Sequence, residues 1–215
     1  MIRAVLFDLD GTLADTERLH WQAYRQILLE YGIDVGIDEY RRYFIMQGNG
    51  PEYACQTYGL PISADELRAR KKVPYHAFLA AGVRPLPGAV EVLERLKSTH
   101  RLAVATNSIH AEARTILTQI GAAPLLDLVI AREDYAHAKP APDAYLTAAA
   151  RLGFGALECA VVEDTPRGLG AGLAAGMPVV AAPSDLTADG DFSGAARRIA
   201  HLGELTADLL AGLAS

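Results

Sequence analysis

The sequence predicts an α/β fold: a parallel sheet with crossover helices, interrupted near its start by an all-helical insertion. Two patterns carry this expectation. From residue 88 onward, short apolar runs alternate with helical patterns, the signature of a parallel sheet whose strands are joined by helices. One further apolar run, residues 3–8, is separated from the rest by some seventy residues of helical spacing with no strong strand. The bulk properties allow both parts. The chain has 215 residues and is 51% hydrophobic, with a mean hydropathy of +0.12. That suffices for one large core and a small second domain.

The first predicted strand runs apolar into Asp8-Leu9-Asp10, and Gly11 breaks it. Side chains alternate along an extended chain, so Asp8 and Asp10 lie near one another at the strand end. Close carboxylates repel and rarely exist for packing alone. A metal cation relieves that cost, as does a reaction needing one carboxylate charged and the other protonated.

Next comes the insertion. Leu19, Ala23, Ile27 and Tyr31 recur every four residues, and Leu67, Tyr75, Phe78 and Leu79 mark a second helical stretch. Residues 11–15 and 84–88 form the two connections, both rich in chain-punctuating residues. The expected division is a sheet domain of 1–13 with 86–215 and a helical domain of 14–85.

After Pro87-Gly88 the alternation resumes: helix 88–98, strand 101–106, helix 110–120 closed by Gly121, strand 127–131, helix 141–152 with Pro142 in its first turn, strand 159–163, helix 166–175 and strand 178–182. A short strand or loop and a terminal helix are expected from about 192.

Ligands of open parallel sheets bind at the carboxyl ends of the strands. Four predicted strands end, or nearly end, in polar residues: Asp8 and Asp10, then Thr106-Asn107-Ser108, then Lys139-Pro140, then Glu163-Asp164-Thr165. Each piece alone is weak. Their order and shared placement make the set specific. Thr106 also suits a strand, Ser108 and Thr165 suit helix caps, and Lys139 taken alone reads as a solvated lysine.

With Asp8-Leu9-Asp10-Gly11-Thr12, Thr106, Lys139-Pro140 and Glu163-Asp164 in this order, the chain resembles the haloacid dehalogenase-like hydrolase superfamily over essentially its full length. The insertion, with Asp15-Thr16-Glu17 and His20, resembles the helical-cap branch that includes β-phosphoglucomutase and phosphoglycolate phosphatase. The resemblance implies a Rossmann-like core with an inserted cap that closes over the site. It also implies a phosphatase acting on a small phosphate ester, a sugar or organic-acid phosphate, through an aspartyl-phosphate. Asp8 would be the nucleophile and Asp10 the general acid and then base. Asp8, the Asp10 carbonyl and Asp164 would hold Mg²⁺, with Glu163 close by or ligating. Thr106, with the backbone N–H groups of Asn107 and Ser108, would bind phosphate at a helix start. Lys139 would balance charge on the transferring group.

Rival functions use the same residues. A β-phosphoglucomutase-type mutase would return the phosphoryl group to a sugar, but its second-phosphate arginine is missing between Gln47 and Glu52. A dehalogenase would lack the carboxylate that Asp10 supplies. A non-catalytic relative would be expected to lack at least one chemical residue, and none is missing. In the insertion, His20 reads equally as a substrate-side group or an interface residue. Asn49, within Gln47-Gly48-Asn49-Gly50, reads as part of a substrate loop or of a plain turn. Arg68, Arg70, Lys71 and Lys72 read as a solvated face.

The net charge of −6 argues against nucleic acid as the main partner. No leader pattern or membrane-length apolar stretch is visible. Two cysteines, Cys55 and Cys159, make neither a disulfide framework nor a zinc site. A cytoplasmic monomer is the expectation.

Overall fold

A computed structural model describes residues 1–214. The chain divides into two units, 1–15 with 84–215, and 16–83. Ala14 and Pro85, read from the sequence as the ends of the helical part, belong to the sheet unit. Ala14 bridges to both Asp10 and Pro85.

The sheet unit is built on six parallel strands in the order β3-β2-β1-β4-β5-β6. They are β1 (Ala4–Phe7), β2 (Arg101–Ala105), β3 (Leu128–Ile130), β4 (Cys159–Glu163), β5 (Val179–Ala181) and β6 (Arg197–Arg198). A parallel sheet covered on both faces needs central strands that are apolar throughout. β1 meets that demand, with all four residues buried. The edge strand β6 is two exposed arginines, a charged edge that resists further pairing.

The connecting helices are α5 (Ala89–Leu96), α6 (His110–Gln119), α7 (Asp143–Leu152), α8 (Pro166–Ala174) and the terminal α9 (Ala207–Ala211). Ala144, Tyr145 and Ala148 of α7, with Leu169 and Ala171 of α8, cluster on Leu6, Ala103, Val161 and Val179. Small side chains bring α7 close to the sheet. Tyr145 is the exception in this alanine-rich stretch, and its phenol needs a polar partner.

The register positions the site. Phe7 lies opposite Val104 of β2 and Val162 of β4. The next level therefore carries Asp8 and Glu163, and the one after it Thr106 and Asp164. β2 and β3 lie on one side of β1, β4 and β5 on the other. The order reverses beside β1, where ligands of such sheets bind.

The unit 16–83 contains α1 (Glu17–Leu29), α2 (Ile37–Tyr40), a π-helical turn (Arg41–Met46), α3 (Gly50–Tyr58) and α4 (Ala64–Ala81), with no strand among its residues. α1 and α4 pack together through buried Ala23, Ile27, Leu28, Leu67, Tyr75 and Leu79. Ser63 caps α4 by accepting from the Glu66 N–H at 3.1 Å. No helix among the described residues is long and apolar enough to cross a membrane.

Candidate active site

Strand ends and the turns after them bring the predicted residues together. Asp8, Thr106, Lys139, Glu163 and Asp164 are all buried, which charged groups tolerate only when partnered. Lys139 is the centre of the arrangement. Its Nζ donates to Asp8 Oδ1 at 2.5 Å, to Glu163 Oε1 at 2.7 Å and to the Tyr145 hydroxyl at 2.7 Å. An ammonium has three protons, so these contacts use all of them. Tyr145 in turn donates to Glu163 Oε1 at 2.6 Å. The other Glu163 oxygen accepts from the Asp164 N–H at 3.2 Å and the Thr165 hydroxyl at 3.4 Å.

Glycine makes two of these approaches possible. A Cβ on Gly168 would fall 1.9 Å from the Glu163 carboxyl carbon. A Cβ on Gly11 would fall 2.4 Å from Asp164 Oδ2, and Gly11 has φ +82°, where side chains are strained. Thr12 donates to Asp164 Oδ1 at 3.1 Å.

Asp8, Glu163 and Asp164 each offer one carboxylate oxygen, and these atoms lie within 4.8 Å of one another. Burial drives the Asp8 carboxyl well above the ordinary carboxylate range. Lys139 opposes the rise, and Glu163 and Asp10 add to it. Burial also opposes the charge on Lys139, but Asp8 and Glu163 hold its ammonium above the ordinary value. Three carboxyl groups are thus gathered where a single ammonium bonds two of them. An all-oxygen, carboxylate-rich set of this kind fits a hard divalent cation. The cradle that Gly11 leaves open beside Asp164 fits it as well.

Asp10 points elsewhere. Its Oδ2 accepts from the Ser108 hydroxyl at 2.7 Å and the Thr106 hydroxyl at 3.1 Å. Thr106 Oγ1 also receives the Ser108 N–H at 3.0 Å. Ser108 was expected to cap the following helix. The N-cap is Ile109 instead, and the Glu133 carboxylate takes the first helical N–H, that of His110, at 3.0 and 3.1 Å. The Asn107 side chain braces the loops: its Oδ1 accepts from the Lys139 N–H at 3.2 Å and lies 2.8 Å from the Tyr135 hydroxyl.

In the helical unit His20 stacks on Tyr75, with centroids 4.0 Å apart. Its Nδ1 lies 2.5 Å from Lys71 Nζ. Burial, then the Lys71 charge, holds this imidazole well below its ordinary pKa. Asn49 precedes α3 and makes no side-chain cap. A Cβ on Gly50 would overlap the Phe44 ring, so this segment is a packed turn. The basic run is not a simple solvated face. Arg68 bonds Glu52 and Asp65, Arg70 bonds Glu30 and Tyr31, and Lys71 sits 4.1 Å from the Tyr75 ring centroid.

Tyr145 and the Asp10–Ser108 contact were not singled out in the sequence, and Thr12 was read as part of the Asp8–Thr12 motif without its bond to Asp164. Tyr145 had a usable signal, as a lone phenol on an otherwise apolar helix face six residues after Lys139.

Carboxylates gathered at the switch point of a parallel sheet, with a buried lysine bonded to two of them, fit the phosphoryl-transfer class of α/β enzymes. A family model for haloacid dehalogenase-like hydrolases matches residues 5–182, and the chain belongs to that family. CbbY of Rhodobacter capsulatus is 34% identical over 213 residues, covering 94% of each chain. The fructose-1-phosphate phosphatase YqaB of Escherichia coli is 33% identical over 181 residues, covering 82% of this chain and 94% of that protein. A solved structure of a CbbY mutant from Rhodobacter sphaeroides, in complex with xylulose-1,5-bisphosphate, has a TM-score of 0.80 at 28% identity and covers 95% of this chain and 96% of that one.

Proposed function

We propose that the protein is a Mg²⁺-dependent phosphatase of small phosphorylated metabolites, with sugar phosphates the first class to test. The single observation that carries this reading is the pairing of Asp8 with Lys139 beside Asp164 at the end of β1. A relative named as a fructose-1-phosphate phosphatase, and a related structure holding xylulose-1,5-bisphosphate, support the substrate class.

In this reading an Asp8 oxygen attacks phosphorus, and the bond from phosphorus to the leaving oxygen breaks. Asp10 gives that oxygen a proton. Asp10 then takes a proton from water as the water attacks the aspartyl-phosphate, which releases inorganic phosphate and restores Asp8. Lys139 holds Asp8 ready and balances charge as the phosphoryl group arrives. Thr106 and the N–H groups of Asn107 and Ser108 would receive phosphate oxygens, the Ser108 N–H by leaving the Thr106 hydroxyl it now donates to. Asp8, Asp164 and the Asp10 carbonyl are the groups that would hold Mg²⁺. Glu163, whose oxygens already accept from protein donors, orients Lys139. When bound, Mg²⁺ supplies positive charge that lets an anionic nucleophile approach an anionic phosphate.

Phosphate release from a panel of sugar and organic-acid phosphates, with and without Mg²⁺, tests the proposal. Activity is expected to need the metal and to vanish in Asp8→Asn. Near-wild-type turnover by that variant would overturn the nucleophile assignment.

A further inference from the structure

The phosphatase reading gives Asp10 the proton but leaves open what aims it. We propose that Ser108 is a positioning residue for Asp10, its hydroxyl fixing the carboxyl group for proton delivery to the leaving oxygen. This rests on that reading of Asp10.

The geometry separates Ser108 from its neighbour. Both Thr106 and Ser108 donate to the same Asp10 oxygen, Oδ2. The Thr106 hydroxyl is pinned by its own turn, since it also accepts the Ser108 N–H at 3.0 Å. Its contact to Asp10 is the longer of the two, 3.1 Å against 2.7 Å, and 2.7 Å is near the optimum for a hydroxyl donor. Two donors on one oxygen set the rotation of the carboxyl group. As the bond between phosphorus and the leaving oxygen breaks, the electron pair stays on that oxygen. The Asp10 O–H bond breaks and the new O–H bond forms there. A carboxyl group that swings freely would spend less time in line for this transfer. Ser108 thus acts on the leaving-group side of the reaction, whereas Lys139 and Asp164 stand with the nucleophile.

That sidedness gives a test that a purely structural or phosphate-binding role would not pass. The value of kcat/KM reports the phosphoryl-transfer half, without the later hydrolysis of the aspartyl-phosphate. An aryl phosphate with an acidic phenol needs little protonation of its leaving oxygen, while an alkyl or sugar phosphate needs it fully. In Ser108→Ala, kcat/KM for the alkyl ester should fall by roughly 10- to 100-fold, part of the 10²–10⁴ that general acids supply. The aryl ester should lose at least tenfold less. Ser108→Thr, which keeps the hydroxyl, should recover most of the alkyl activity. Equal losses on both esters, or no loss on either, would overturn the proposal. The aryl ester also reports that the variant is folded. A wild-type protein that hydrolyses neither ester would instead sink the phosphatase reading itself.

Discussion

The two units hold charged side chains in opposite ways. In the sheet unit the ammonium of Lys139 is buried, and its three protons go to three oxygens at 2.5–2.7 Å. In the helical unit Arg68 and Arg70 make comparable ion pairs with Glu52 and Glu30, but their side chains are 40% and 35% exposed. The contacts look alike on paper. Exposed pairs are screened and contribute little. A buried pair is costly to break, because it leaves an uncompensated charge behind. The difference lies in what holds the backbone. Parallel register places strand ends at fixed levels, so groups from distant parts of the chain meet in one buried spot. Helix faces instead present long side chains to partners at the surface.

The largest break in this contrast comes from Lys139→Met. Asp8 and Glu163 would keep their burial and lose their counter-charge. Stability should fall by about 3–5 kcal/mol, read from denaturant unfolding without divalent metal. Phosphatase activity should fall by roughly 10²–10³-fold. A loss of stability below about 1 kcal/mol would show that the cluster does not depend on this cation.

Tyr145→Phe is the next step down. It keeps the ring against Ala144 and Ala148 but removes one donor from Glu163 and one acceptor from Lys139. The expected cost is about 1–3 kcal/mol. Because Tyr145 supports the nucleophile side, its effect on kcat/KM should be similar for alkyl and aryl phosphates, unlike that of Ser108→Ala. A loss confined to the alkyl ester would remove Tyr145 from that side.

These residues also show what a sequence can and cannot carry. Asp8, Asp10, Thr106, Lys139 and Asp164 were legible because each sits at a strand end or beside a helix start, where chain order and polarity suffice. Tyr145 was passed over although it follows Lys139 by six residues, because its other partner, Glu163, stands on β4 and is brought to it only by the packing of α7 on the sheet. Ser108 was read as a helix cap. The Glu133 carboxylate, 25 residues further on, took the helix's first donor instead, and the Ser108 hydroxyl went to Asp10. The basic run 68–72 was read as solvated because opposite charges on α1 and α3 are not neighbours in sequence. The faces of α1 and α4 were visible from their spacing, but the meeting of His20 with Tyr75 and Lys71 required the way the two helices pack.

His20 offers a smaller test inside the helical unit. Its folded pKa is depressed, by burial and then by Lys71, so the unfolded chain takes up this proton more readily. The contribution is therefore fully present above the unfolded value of 6.5. It is lost as pH falls below that, at up to about 1.4 kcal/mol per pH unit. Unfolding measured from pH 7 to pH 5.5 should show a shallower decline in His20→Gln than in the wild type. Parallel curves for the two proteins would mean that His20 is protonated as readily in the folded protein as in the unfolded chain.

Arg70→Ala should have the smallest effect and sharpens the comparison most directly. Arg70 reaches the Glu30 carboxylate and the Tyr31 hydroxyl, and its guanidinium lies over the Tyr31 ring, 5.5 Å from the centroid. Two polar partners and a ring face would make it look as well anchored as Lys139. Water reaches all of them, however, so the freed Glu30 can be solvated. The expected loss is at most about 1 kcal/mol, and it should shrink further in high salt as the pair is screened. The Lys139→Met loss should respond much less to monovalent salt, since that pair is buried. If Arg70→Ala instead cost as much as Lys139→Met and ignored salt, exposure would not be what separates the two kinds of pair. The helical unit would then have to be rigid for a reason other than its packed α1–α4 face.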